Sequence, residues 1–144
     1  MKIGVYIFPT TYSISIVDLA RALEDRGFES LFVPEHTHIP VSRRTPFPGG
    51  EPLPQEYSNT LDPFVVLSAA AVATRTLRVG TGICLVSQRD PIVTAKAVAS
   101  LDVLSGGRFE FGIGAGWNQD EIENHGTAFD DRFRVMVDRV KAMQ

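Results

Sequence analysis

Cysteine is nearly absent from this chain. The single residue, Cys84, among 144 positions excludes an internal disulfide and a cysteine-rich zinc site. Nothing beside it in sequence would lower its pKa, so it reads as an inert, small hydrophobe. Clusters of positive charge are missing as well. Lys and Arg are scattered apart from Arg43-Arg44 and the alternating Arg132, Arg134 and Arg139, and the net charge is −3. No nucleic-acid partner is expected from that pattern. Long apolar runs are lacking: the stretch from Met1 to Phe8 is too short for a membrane span and has no signal-peptide flanks, so the chain reads as mature, cytoplasmic and without a membrane partner. There is no G-x-S-x-G nucleophile elbow and no G-K-[ST] phosphate loop. What is present, 44% hydrophobic and 22% charged residues, describes a globular chain of about one domain's length.

Its order is repetitive. Four times a short β-rich run is followed by a loop and a helical pattern, which predicts an α/β fold of about four βα units. The strands are expected at Lys2–Phe8, Ser30–Val33, Leu77–Ile83 and Arg108–Ile113. The first helix begins near Ser15, with Ile16, Leu19, Ala20 and Leu23 on one face and Gly27 as its stop. Asp62-Pro63 and Asp90-Pro91 each read as an N-cap followed by proline at the first helical position. Asn118 and Glu121 have the spacing of a capping box, with Gly126 closing that short helix. Phe133, Met136, Val137 and Val140 form a last apolar stripe.

The turns from helix into strand are brief and plain, whereas those from strand into helix carry the unusual residues: Pro9 to Tyr12, Pro34 to His38, Gly82 to Arg89, and Gly114 to Trp117. In parallel α/β proteins ligands bind at the carboxyl ends of strands, so these loops converge on one face. A segment at 37–60, with Pro40, Pro46, Pro48, Pro52 and Pro54, follows strand two. It is too long for a plain connection and reads as a lid or binding loop.

Gly112-Ile113-Gly114-Ala115-Gly116 fails as a dinucleotide fingerprint, because the third glycine comes one residue early and the motif lies in the wrong βα turn. Three glycines ending at Trp117 favour a flat ligand approaching bare backbone over a simple tight turn. His36 and His38 with Glu35 supply too few ligands for a metal site, and none is expected. His36 alone is either a surface residue or a hydrogen-bond donor or proton carrier at the end of strand two.

At this point the residues resemble the luciferase-like monooxygenase superfamily, and within it the deazaflavin F420-dependent oxidoreductases. The resemblance rests on Gly27 to His36, Leu53-Pro54 through Asp62-Pro63, Val79 to Ile83, Asp90 to Lys96, and Leu101 to Phe109 running into Gly112 to Trp117. It implies a TIM barrel that uses F420, or alternatively FMN, on a small organic substrate. By the same resemblance His36 is the catalytic residue beside the cofactor ring. Glu35, Gly82, Ile83, Gly114, Ala115, Gly116 and Trp117 join it in binding the cofactor, and the Gly82–Ile83 peptide is cis. Some relatives place a catalytic glutamate where this chain has Trp117, which leaves that role unfilled here.

A TIM barrel needs roughly 250 residues, and 144 supply half of one. Residues 1–144 therefore read as a single N-terminal half-barrel domain, with strands one and four as open edges of the sheet. A homo-oligomer, a dimer completing the barrel, or a complementary chain would cover them. The alternative function is a non-catalytic remnant or binding module that lacks the cofactor's phosphate site.

Overall fold

The computed structural model describes residues 1–144. Both Asp-Pro pairs start helices as the sequence predicts. Asp62 accepts from the Val65 amide at 3.1 Å and opens α3 (Pro63–Ala73), and Asp90 accepts from the Val93 amide at 2.8 Å and opens α4 (Pro91–Ser105). Gly106, in the left-handed region at φ 66°, ends α4. The other helices are α1 (Ile16–Asp25), α2 (Glu56–Asn59), α5 (Gln119–Asn124) and α6 (Arg132–Met143). α1 begins where expected, although the Ser15 side chain makes no cap bond.

The strands β1 (Gly4–Tyr6), β2 (Ser30–Val33), β3 (Arg78–Thr81) and β5 (Phe109–Glu110) form one parallel sheet in the order β1-β2-β3-β5. The expected succession of four strands is thus observed, with β1 and β5 at the edges. Two expected strands are interrupted. Leu77–Ile83 stops at Gly82 and resumes as β4 (Cys84–Leu85), and Arg108–Ile113 resumes as β6 (Ile113–Gly114); β4 and β6 pair with each other in a separate two-stranded sheet. At the break the Gly112 carbonyl accepts from both the Thr81 hydroxyl, at 2.7 Å, and the Cys84 amide, at 2.8 Å, and the Gly112 amide turns back to Glu110. β1 is also shorter than the apolar run Lys2–Phe8, since an edge strand is paired on one side only.

Alternation along the strands sorts the side chains. Leu31, Val33 and Val79 are fully buried against Leu23, Leu67, Ala70 and Leu101 of the helical layer, and Val5 and Ile7 pack on the same core. Tyr6, Phe8 and Phe32 consequently lie on the opposite, ligand-side face. Phe32 crosses the position where a side chain at Gly80 would stand, so that close approach requires glycine there.

Two polar devices fasten the helices at the far end of the strands. The Arg108 guanidinium donates to the Ala71, Thr74 and Leu77 carbonyls and to the Thr74 hydroxyl, at 2.5–3.2 Å, and so satisfies the open C-terminus of α3. The Glu24 carboxylate accepts from the Arg75, Thr76 and Leu77 amides and the Thr76 hydroxyl. No helix is long and apolar enough to cross a membrane.

Candidate active site

The loops that follow β1, β2 and the β4–β6 pair meet as predicted, around a cavity of about 370 Å³. That lies within the roughly 300–1,000 Å³ typical of small-ligand sites. Its walls are mainly aromatic: Tyr6, Phe8, Tyr57 and Trp117, with His36 and Ile83. Tyr57 is the hub. Its ring centroid lies 4.7 Å from Phe8, 5.0 Å from Phe47 and 5.3 Å from His36.

His36 is held from behind. Its Nδ1 lies 2.8 Å from Glu121 Oε2, and the other Glu121 oxygen accepts from the Thr37 amide at 3.2 Å. The Glu121 side chain is 1% exposed and that of His36 7%. A carboxylate only accepts, so the ring proton sits on Nδ1 and Nε2 is left without a protein partner. This is the arrangement by which a carboxylate fixes the tautomer and orientation of an imidazole.

Glu121 therefore does not complete the capping box that its spacing to Asn118 predicts. The Asn118 side chain makes no cap bond; it is buried with both amide atoms unpaired. Glu121 has turned away toward the loop after β2 because two donors wait there, His36 and the Thr37 amide. The i, i+3 spacing gave a local signal, whereas the actual partner lies 85 residues away.

Glu35 borders the cavity, but its oxygens accept from the Leu85 amide at 2.6 Å and from Arg89 Nε at 2.5 Å. Arg89 also pairs with Asp62 at 2.8 Å, so this buried carboxylate ties β4 to the start of α3. Burial alone would lower the Arg89 pKa, but these two carboxylates outweigh it and raise it. Cys84 is fully buried, and burial is the first cause that pushes its thiol pKa up, in keeping with an inert side chain.

Gly82 and Ile83 lie on the cavity wall with a cis peptide between them; Glu51–Pro52 is also cis. Gly116 and Trp117 line the wall beside them. Gly114 and Ala115 stand behind it. A side chain at Gly114 would collide with the Ile83 side chain, and the Ala115 carbonyl accepts the Ser87 hydroxyl at 2.7 Å. Of the three glycines, Gly112 and Gly114 thus make room for neighbouring parts of the chain, at Thr81 and Ile83. Gly116 holds a positive φ of 83° at the turn into Trp117.

The proline-rich segment is strapped across α5. Arg44 donates through its amide and Nε to Asp120, at 2.5 and 2.6 Å, and through Nη2 to Glu123 at 2.5 Å. The Gln119 amide donates to Thr45 at 3.0 Å. The strap lays Phe47 5.9 Å from the Trp117 ring. His38 joins neither His36 nor a metal cluster; it meets Asn124 and Thr37, and the Thr37 hydroxyl meets His125. No group of three or more potential metal ligands exists.

A parallel sheet, helices alternating with its strands, and a cavity at the strands' carboxyl ends define a βα fold of the barrel type. The luciferase-like monooxygenase family model matches residues 1–144, and the chain belongs to that family. It is 41% identical over 147 residues to an uncharacterised protein of Mycobacterium tuberculosis, covering 100% of this chain and 52% of that one. The coenzyme F420-dependent tetrahydromethanopterin reductase structure from Methanopyrus kandleri aligns with a TM-score of 0.63 and 28% identity, over 87% of this chain and 30% of that one. The oxygenating constituent of 3,6-diketocamphane monooxygenase from Pseudomonas putida, solved with FMN, shares the fold at a TM-score of 0.77 and 20% identity, over 99% of this chain and 38% of that one. Of these two structures, the first is named for coenzyme F420 and the second was solved with FMN, and the chain spans about half the length of the first curated relatives it matches.

Proposed function

We propose that this chain carries the ring-binding half of an F420-dependent oxidoreductase acting on a small organic substrate, with FMN as the alternative cofactor. The observation that carries the reading is the His36–Glu121 pair opening onto a cavity walled by Tyr57, Trp117 and the Gly82–Ile83 turn. The cavity fits a flat, uncharged ring system. It is apolar, backbone without a side chain lies on its wall at Gly82 and Gly116, and the Ile83 side chain offers a bulge for a ring to rest on. When bound there, the cofactor supplies hydride transfer. His36 would accept a hydrogen bond, or a proton, at Nε2 beside the ring, while Glu121 fixes its tautomer. Gly82, Ile83, Gly116 and Trp117 contact the ring. Gly114 and Ala115 set the position of that wall, and Glu35 sets the position of β4.

No lysine or arginine lines the cavity, so a charged cofactor tail would find its counter-charges outside these residues. The open edges β1 and β5 support the same reading. A second copy, with β1 of each beside β5 of the other, would close eight strands and cover both edges; a complementary chain would serve equally. Titration with F420 and with FMN, followed by cofactor fluorescence, tests the function. F420 is expected to bind more tightly, and His36→Ala to weaken it. Binding of FMN alone would reassign the cofactor, and binding of neither would overturn the reading. Light scattering at micromolar concentration tests the assembly, which a folded monomer that melts cooperatively would refute.

A further inference from the structure

Two of the chain's three histidines lie outside the cavity and share one hydroxyl. The Thr37 Oγ1 atom stands 3.0 Å from His38 Nδ1 and 2.8 Å from His125 Nε2, and the two imidazole centroids are 5.6 Å apart. On the far side, His38 Nε2 lies 3.0 Å from the Asn124 side-chain nitrogen. The third histidine, His36, precedes Thr37 in sequence, and the Thr37 amide donates to the same Glu121 carboxylate that holds His36 Nδ1. Thr37 thus meets the surface pair through its hydroxyl and the support of His36 through its backbone.

Hydrogen-bond chemistry gives this surface chain one direction. The Asn124 nitrogen only donates, so His38 accepts at Nε2 and carries its proton on Nδ1. That proton points to the Thr37 oxygen, and the single hydroxyl proton is left for His125 Nε2. Every group is matched while both rings are neutral. A proton added to His38 Nε2 would face the Asn124 donor, and one added to His125 Nε2 would face the Thr37 hydroxyl proton. Two charged rings at this spacing would also repel each other. The charged groups acting on His125 are His38 from the loop after β2, Glu121 from the helix that His125 ends, Glu35 from just past β2, and Arg89 from between β4 and α4. Asp120 and Glu123 of that helix are taken by Arg44. Partial burial, followed by His38, lowers the His125 pKa; Arg89 acts in the same sense, and Glu121 and Glu35 oppose it.

We propose that His38 and His125 form a proton-sensitive latch on the contact that orients His36: the neutral pair holds Thr37, and protonation of the pair releases it and loosens Glu121 from His36. The sign follows from the lowered His125 pKa. The bridge is fully present above the ordinary histidine value near 6.5 and is lost as pH falls through the lowered value. Because the two rings share one hydroxyl, they titrate as a coupled pair. As a control of the candidate site the latch rests on the oxidoreductase reading, whereas the contacts that make it are independent of any cofactor.

Nitrogen-15 labelling of the histidine rings gives one ring signal set each for His36, His38 and His125, read by long-range proton–nitrogen NMR on the full chain from pH 8 to pH 5. In wild type the His36 Nδ1–H resonance is expected to shift with the midpoint of the His125 titration. Thr37→Val keeps the amide and removes the hydroxyl, so the His36 shift at that midpoint should be lost while His38 and His125 still titrate; Thr37→Ser, which keeps the hydroxyl, should retain it. His38→Gln removes the neighbouring charge, so the His125 midpoint should rise and the His36 shift should move with it. A His36 shift that persists in Thr37→Val, its absence at the His125 midpoint in wild type, or a His125 midpoint unmoved by His38→Gln overturns the proposal. F420 and FMN fluorescence at pH 7.5 on the same samples tests the underlying reading separately. Absence of binding removes the oxidoreductase reading and leaves the latch standing, whereas cofactor binding without a Thr37-dependent His36 shift removes the latch alone.

Discussion

His36 and Glu121 stand 85 residues apart in the chain, yet Nδ1 of one lies 2.8 Å from Oε2 of the other, with both side chains buried. The contact joins the loop after β2 to α5 and fixes which imidazole nitrogen faces the cavity. Replacing Glu121 by alanine leaves the buried His36 Nδ1 and the partly buried Thr37 amide without an acceptor. Each such loss costs about 1–3 kcal/mol, so the urea midpoint of Glu121→Ala should fall clearly. Glu121→Gln, which retains one acceptor oxygen, should lose less.

Glu24 makes folding sensitive to acid. Its desolvation would raise the carboxyl pKa, but hydrogen bonds from Thr76, Arg75 and Leu77 outweigh that and hold it at about 2. A depressed folded pKa contributes stability that is fully present above the ordinary value near 4.5 and is lost as pH falls through about 2. Glu24→Gln is therefore expected to melt at a lower temperature than wild type at pH 7, with the gap closing between pH 4.5 and pH 2. A gap independent of pH across that window would refute the assignment.

Arg108 satisfies three backbone carbonyls with one planar group. Lysine has a single ammonium and cannot reproduce the fork. Arg108→Lys should lower stability by about 1–3 kcal/mol in urea unfolding. Arg134→Lys, where the arginine forms exposed ion pairs with Asp131 and Asp138, should change it by less than about 0.5 kcal/mol.

The strap formed by Arg44 is open to a kinetic test. Trypsin cleavage after Arg43, a site present with either residue at 44, requires the segment to leave Asp120. Arg44→Ala should be cut several-fold faster than wild type. Acid should release the strap in wild type, read as a change in Trp117 fluorescence as Phe47 leaves its ring: the Asp120 pKa is lowered chiefly by the Arg44 amide, so the restraint holds at neutral pH and is lost as pH falls through that lowered value.

Signals confined to a few neighbouring residues were readable before the structure. The Asp-Pro caps at 62–63 and 90–91, the stop at Gly27, the apolar face of α1 and the succession of parallel strands all depend on local chemistry, and all are observed; of the α6 stripe, Met136 and Val140 pack on the core while Phe133 and Val137 are exposed. The convergence of the loops was legible from topology, because parallel βα units put every carboxyl end on one side. What escaped depends on distance through space. Nothing near Glu121 indicates that His36 and Thr37 will draw it out of a capping box, and nothing near Gly112 indicates that its carbonyl will accept from both Thr81 and Cys84 where the two strands divide. The short α2, which carries Tyr57 into the cavity, has too few residues to show a helical period.

The contact between Gly114 and Ile83 has a consequence for how such sequences vary. The Ile83 side chain fills the volume that a side chain at 114 would need, so the two positions share one allotment of space. Enlarging residue 114 requires the Ile83 side chain to rotate away or be shortened, and either change alters its projection on the cavity wall. The size of a side chain that never touches the ligand thereby sets the shape of the surface that does.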